Sequence, residues 1–169
     1  MIYTQAVDKS DLVVQKIKEF LTSKNIQFEY LEHEPTPTSA DSARVRGTKP
    51  EEGAKALIIR LSKTDTNIML VLPGNLKIDS KKVKSVVGKD FSFEDPAVIF
   101  ERYGIMIGGV PPFGNLLENE IKMLIEEKLF LNDTISFNCG KKTASIIMKA
   151  SDYKNIIKDI ATIGNFSKE

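Results

Sequence analysis

The chain has no tryptophan, a single cysteine and a single histidine in 169 residues, and each scarcity excludes something. Disulfide frameworks need paired cysteines, and a structural zinc needs four ligands where Cys and His together supply two. Cysteine this rare reads plainly as a reducing compartment. No run approaches the roughly 20 apolar residues of a membrane span. The start, Met1 to Asp8, also lacks the basic-then-apolar order of a signal peptide, so a soluble, cytoplasmic protein with no membrane partner is expected. Charge of one sign is missing too: 24 Lys and Arg face 23 Asp and Glu, for a net charge of +1. No global field advertises a polyanion, and any nucleic-acid contact must be local. Repeats and low-complexity tracts are absent, and the tail from Gly164 to Glu169 reads as frayed.

What the chain has is apolar content, 41% of it spread along the whole length, which supplies a core and excludes a wholly disordered polymer. The length suits one domain over residues 1–169. Asp8 or Ser10 caps a helix with Val13, Ile17, Phe20 and Leu21 at helical spacing, ending near Asn25. Phe28 to Leu31 reads as a short strand. A polar connection rich in proline and glycine follows from His33 to Gly53, with room for a short helix over Ala40 to Arg46. Ala56–Leu61 and Ile68–Leu72 are apolar runs that predict a hairpin. Asp79 or Ser80 caps one helix that ends before Gly88, while Asp95-Pro96 and Gly104 bracket another. Ile105 to Ile107 reads as a strand running into a rigid turn. Further strands are expected at Ile121–Ile125, Thr134–Asn138 and Thr143–Lys149, with Cys139 to Lys142 as the turn between the last two. Ser151 caps a closing helix with Tyr153, Ile156, Ile157 and Ile160 inward. Such an irregular order predicts a mixed α/β (α+β) sheet with flanking helices and argues against a doubly wound Rossmann unit.

Lys55 falls on the strand face of Leu57, Ile59 and Leu61, where an ammonium must either snorkel to water or meet a partner in a pocket. Gly108-Gly109-Val110-Pro111-Pro112-Phe113-Gly114 is a loop that lets a ligand approach the backbone, with amides suited to a developing oxyanion; as a plain turn it would be purely structural. His33 has no Ser-His-Asp context, Cys139 reads as a packing residue, and Lys141-Lys142 is a short basic pair able to meet phosphates.

Taken in order, Glu32-His33-Glu34-Pro35 with Thr38, Gly53-Ala54-Lys55-Ala56-Leu57, the Gly108 to Gly114 loop and Phe137-Asn138-Cys139-Gly140 resemble the YbaK/prolyl-tRNA synthetase editing-domain family across about residues 10 to 162. The resemblance implies a strongly curved mixed sheet or partial barrel and a single freestanding domain. It implies a trans-editing hydrolase that deacylates misacylated tRNA, of the prolyl-tRNA type, by water attack on the ester without cofactor or metal. Lys55 falls on the family's pocket lysine. Gly108 and Pro112 end its Gly-x-x-x-Pro loop, so Gly108, Gly109, Val110 and Pro112 join Lys55 as catalytic candidates. Asn138 and Gly140 match a turn that often reads Asn-Ala-Gly, and with His33, Thr38 and Phe113 they are candidates for substrate binding. Lys141 and Lys142 are candidates for tRNA contact. The partner is the acceptor end of an aminoacyl-tRNA, with a synthetase as a second partner to consider. Where the alanine-clearing branch has asparagine after the lysine and a histidine near the later turn, this sequence has Ala56 and Asn138, which points toward cysteine, serine or another near-mimic. An idle adaptor that binds tRNA or a synthetase, and an esterase acting on something other than tRNA, are the rival readings.

Overall fold

The computed structural model describes residues 7–169. In chain order these form α1 (Ser10–Ser23), β1 (Phe28–Glu32), α2 (Ser39–Arg46), a 3-10 turn at Pro50–Glu52, β2 (Ala54–Leu61), β3 (Asn67–Pro73), β4 (Lys77–Ile78) and α3 (Ser80–Val87). Then follow β5 (Phe91–Phe93), α4 (Pro96–Tyr103), β6 (Lys122–Glu126), a 3-10 segment at Glu127–Leu131, β7 (Thr134–Lys141), β8 (Ala144–Lys149), α5 (Ala150–Ile157), β9 (Ala161–Gly164) and β10 (Ser167–Lys168).

Local chemistry fixes several of these bounds. Asp79 accepts from the amides of Lys81 and Lys82 to open α3, and Gly88 closes it at φ 78°. Asp95 accepts from Ala97 N ahead of Pro96, and Gly104 ends α4 at φ 70°. Thr38 caps α2 through Asp41 N. Asp8 takes both the amide and the hydroxyl of Ser10 at the start of α1. The side-chain caps satisfy donors that a helix start leaves orphaned, and the glycines satisfy carbonyls at the helix ends.

The strands assemble into a mixed α/β fold. One sheet has the order β5-β2-β3-β6-β9, in which β2 pairs antiparallel with β3 and β5 while β3–β6 and β6–β9 are parallel. A second, antiparallel sheet has the order β1-β8-β7, and β4 pairs with β10. A single bridge between Gly53 and Ser136 ties the start of β2 to β7 and so joins the two larger sheets. Alternation along β2 sends Ala54 and Ile58 into the main core with Ile17, Leu21, Phe113, Phe137 and Tyr153, and Ile59 into a second core with Leu70, Leu72, Val83 and Phe166. Phe113 is the hub of the main core, edge-on to Phe20, Phe137 and Tyr153 at ring separations of 5.4–6.2 Å.

Four readings of the sequence are corrected. Ile105 to Ile107 is not a strand: Ile105 is buried, but Met106 and Ile107 are 62% and 52% exposed, and Gly108 turns the chain at φ 88°. Cys139 lies within β7 and not in a turn, because the strand runs on to Lys141 through a bulge in which Gly140 takes φ 121°. Ser151 sits inside α5, and Ile160 lies beyond its end. The tail is anchored, with Phe166 and Ser167 almost fully buried. Its anchor is Glu126, whose Oε1 accepts from Phe166 N, Ser167 N and the Ser167 hydroxyl.

Candidate active site

A cavity of about 360 Å³ opens between the stretch around α2, the first half of β2, Phe93 and Glu94, the bend at Ile107 to Val110, and Asn138. It brings together Thr38, Lys55, Gly108, Val110 and Asn138 from the residues singled out in the sequence. The long polar connection before β2 thus becomes a wall of the cavity, contributing Thr36, Thr38, Ser39, Ser42 and Arg46.

Lys55 both snorkels and meets partners. Its ammonium donates to the carbonyls of Gly74 and Leu76 beyond the end of β3, and burial, with Lys77 nearby, draws its pKa below the ordinary lysine value. Asn138 is held on both sides: its amide nitrogen donates to Gly108 O at 2.6 Å, and its oxygen accepts from Arg46 Nη2 at 2.8 Å. Arg46 also donates to Ser145 at 2.8 Å and Ser136 at 3.2 Å. All three acceptors are neutral, and among the described residues no carboxylate pairs with this guanidinium. Burial lowers its pKa to about 10. A desolvated cation facing a cavity without a counter-ion is a standing attraction for negative charge. Nothing in the residue pattern marks Arg46 out, because a basic residue in the last turn of a helix normally answers the helix dipole.

The glycine loop divides its amides. Gly109 N donates to Met106 O at 3.0 Å, so that donor is spent on the turn. The amides of Gly108 and Val110 have no protein partner among the described residues. Pro112 and Phe113 lie away from the cavity: Pro112 O accepts from Tyr153 at 2.7 Å, and Phe113 is fully buried in the core. Gly140 faces α1, where a Cβ would meet Ser10 O at 3.0 Å. His33 is also outside the lining, with its ring bonded to Ser145 Oγ and Glu34 O at 2.7 Å each. Lys141 pairs with Asp11 of α1, which raises its pKa, while the Lys142 side chain lies over Gly108. Burial pushes the Cys139 thiol up to about 12. Glu94 is in the cavity wall, but Asn67, Asp95 N and Arg102 occupy its carboxylate. The lining therefore offers main-chain donors, hydroxyls and two cations, with neither thiol nor imidazole. Among the described residues no three His, Cys, Asp or Glu side chains gather as a metal site.

The comparisons with known proteins give this arrangement a class. Residues 33–156 match the aminoacyl-tRNA editing domain, and the chain belongs to that family. It is 28% identical over 152 residues, 88% of this chain and 90% of the relative, to the multifunctional Ser/Thr-tRNA deacylase ProXp-y of Escherichia coli K12. The prolyl-tRNA editing protein ProX of Acetoanaerobium sticklandii is 21% identical over 90% of this chain and 92% of its own. In three dimensions the chain superposes on a candidate trans-editing enzyme for prolyl-tRNA synthetase with a TM-score of 0.79, covering 93% of this chain and 98% of that one at 18% identity.

Proposed function

We propose that the protein hydrolyses the ester of misacylated tRNA in trans, acting on small, hydroxyl-bearing acyl groups. The observation that carries this reading is that Gly108 and Val110, whose amides have no partner among the described residues, line a cavity whose lining holds no thiol or imidazole. An aminoacyl ester is already activated. Water attacks its carbonyl carbon, the oxyanion is met by preorganised main-chain donors, and the tRNA hydroxyl leaves with a proton. The neighbouring ribose hydroxyl relays that proton. Asn138 holds the loop through Gly108 O, Arg46 holds Asn138, and the cations Arg46, Lys55 and Lys142 favour the phosphates of the acceptor end.

Of the lining hydroxyls, Thr36 and Ser42 bond to each other and Thr38 to Asp41, and it is the named activity of the E. coli relative that supports serine or threonine as the acyl group. The A. sticklandii relative makes proline tRNA the first acceptor to test. The experiment is single-turnover deacylation of seryl-, threonyl-, cysteinyl- and alanyl-tRNA, with free amino-acid ethyl esters in parallel. Rapid loss of the seryl or threonyl group from tRNA but not from the ethyl ester is expected. Equal rates on both would favour the simple esterase, and binding without turnover would favour the adaptor.

A further inference from the structure

Strand β2 is flanked on both sides for only part of its length. β3 runs beside it from Ala54 to Arg60, whereas β5 matches only Ile59 to Leu61. Successive residues of a strand aim their N–H and C=O groups at opposite edges. Glu94 N to Ile58 O at 3.0 Å and Ser62 N to Asp90 O at 2.8 Å place even-numbered residues on the β5 edge, and Leu61 N to Thr66 O at 3.0 Å places odd-numbered ones on the β3 edge. Ala56 therefore turns both its N–H and its C=O toward the stretch that β5 leaves uncovered, and Ala56 lines the cavity. The gap is short, bounded by the Glu94–Ile58 bond at one end and the Gly53–Ser136 bridge at the other. Strand groups in a cleft demand partners, and among the described residues none is supplied to Ala56 on this edge.

We propose that this gap in the edge of β2 seats the aminoacyl group itself, the Ala56 carbonyl accepting from the α-ammonium and the Ala56 N–H donating to the ester carbonyl. The proposal rests on the deacylase reading above and assigns the recognition that reading leaves open. An α-aminoacyl ester carries its donor and acceptor on either side of one carbon, as does a residue in an antiparallel pair, so a single substrate residue completes the ladder. Directly opposed residues share a face. The substrate side chain then lies beside the Ala56 methyl, on the side of Ala54 and Ile58, which Ile99 and Val110 also wall. Lys55 and Leu57 are on the opposite face. Ala56 is thus the residue that sets how large an acyl side chain is admitted, while its main chain recognises what all amino acids share.

The test uses 3′-seryl-amino-3′-deoxyadenosine, whose amide resists hydrolysis, titrated into 15N-labelled protein. The Ala56 amide is expected to shift and to exchange with solvent at least about tenfold more slowly on saturation. In turnover, Ala56→Val is expected to raise the preference for seryl- over threonyl-tRNA by at least about tenfold, and wild type is expected to cleave 3-hydroxypropionyl-tRNA, which lacks the amino group, at least about tenfold more slowly than seryl-tRNA. An unmoved Ala56 amide under saturating analogue overturns the proposal, whether or not the variant folds. A shifted amide in a protein that cleaves no aminoacyl-tRNA would instead keep the seat and remove the deacylase reading.

Discussion

Lys55 and Arg46 place two cations at one cavity by different means, and their substitutions separate accordingly. Lys55 spans to the carbonyls of Gly74 and Leu76, so Lys55→Ala removes a pocket charge and a tether together. Deacylation is expected to fall at least about tenfold with a lowered but cooperative melt, and an unchanged rate would remove Lys55 from the site. Arg46 reaches three neutral acceptors on β7 and β8 with a planar fork that lysine cannot copy. Arg46→Lys therefore keeps the charge yet is expected to destabilise the fold by about 1–3 kcal/mol, read by denaturant titration, and to slow turnover by loosening Asn138. Stability equal to wild type would show that charge alone matters there. Lys55 was legible from the sequence because one strand's alternation exposes an ammonium on an apolar face. Arg46 was not, since its partners Ser136, Asn138 and Ser145 lie some ninety residues further along the chain.

Among the elements, the glycine loop shows how packing and chemistry share one segment. The sequence suggested that Gly109 leaves room for a ligand. The structure packs it instead on the bulge of β7, where a Cβ would come 2.9 Å from Gly140 O. Gly109→Val is thus expected to lower the melting temperature by several degrees along with activity, measured by calorimetry beside the turnover assay. A folded, normally stable variant would mean that the loop and the bulge are not in register as described. Elements written by local signals were readable in advance: α3 and α4 each carry an aspartate cap and a closing left-handed glycine, and the β2–β3 hairpin has two apolar runs around a polar loop. β4, β5, β9 and β10 were not, because at 2–4 residues each a strand is defined by the neighbour it pairs with and carries no periodicity of its own.

For the molecule as a whole, the fully buried Glu126 joins the end of the chain to β6, an inner strand of the five-stranded sheet. Burial would raise its pKa above the usual 4.5, but the Ser167 hydroxyl and the amides of Lys128, Phe166 and Ser167 outweigh it and hold the carboxyl below that value. A carboxyl depressed in the folded state contributes stability above its unfolded pKa and loses it as the pH falls through its folded one. Glu126→Gln is accordingly expected to melt lower than wild type near neutrality, with the gap closing as the pH falls past the ordinary glutamate range and through the depressed folded pKa. A gap independent of pH would assign the loss to packing. The same sheet also has a history in time. Its antiparallel hairpin β2–β3 closes over a few residues, whereas β6 and β9 must travel back from distant parts of the chain to dock in parallel beside β3 and beside each other. Long closures are slow. The hairpin side of the cavity is therefore expected to form before the wall that needs β7 to bring Asn138 to Gly108, which would leave a newly made molecule with half of its site before it can hold a substrate.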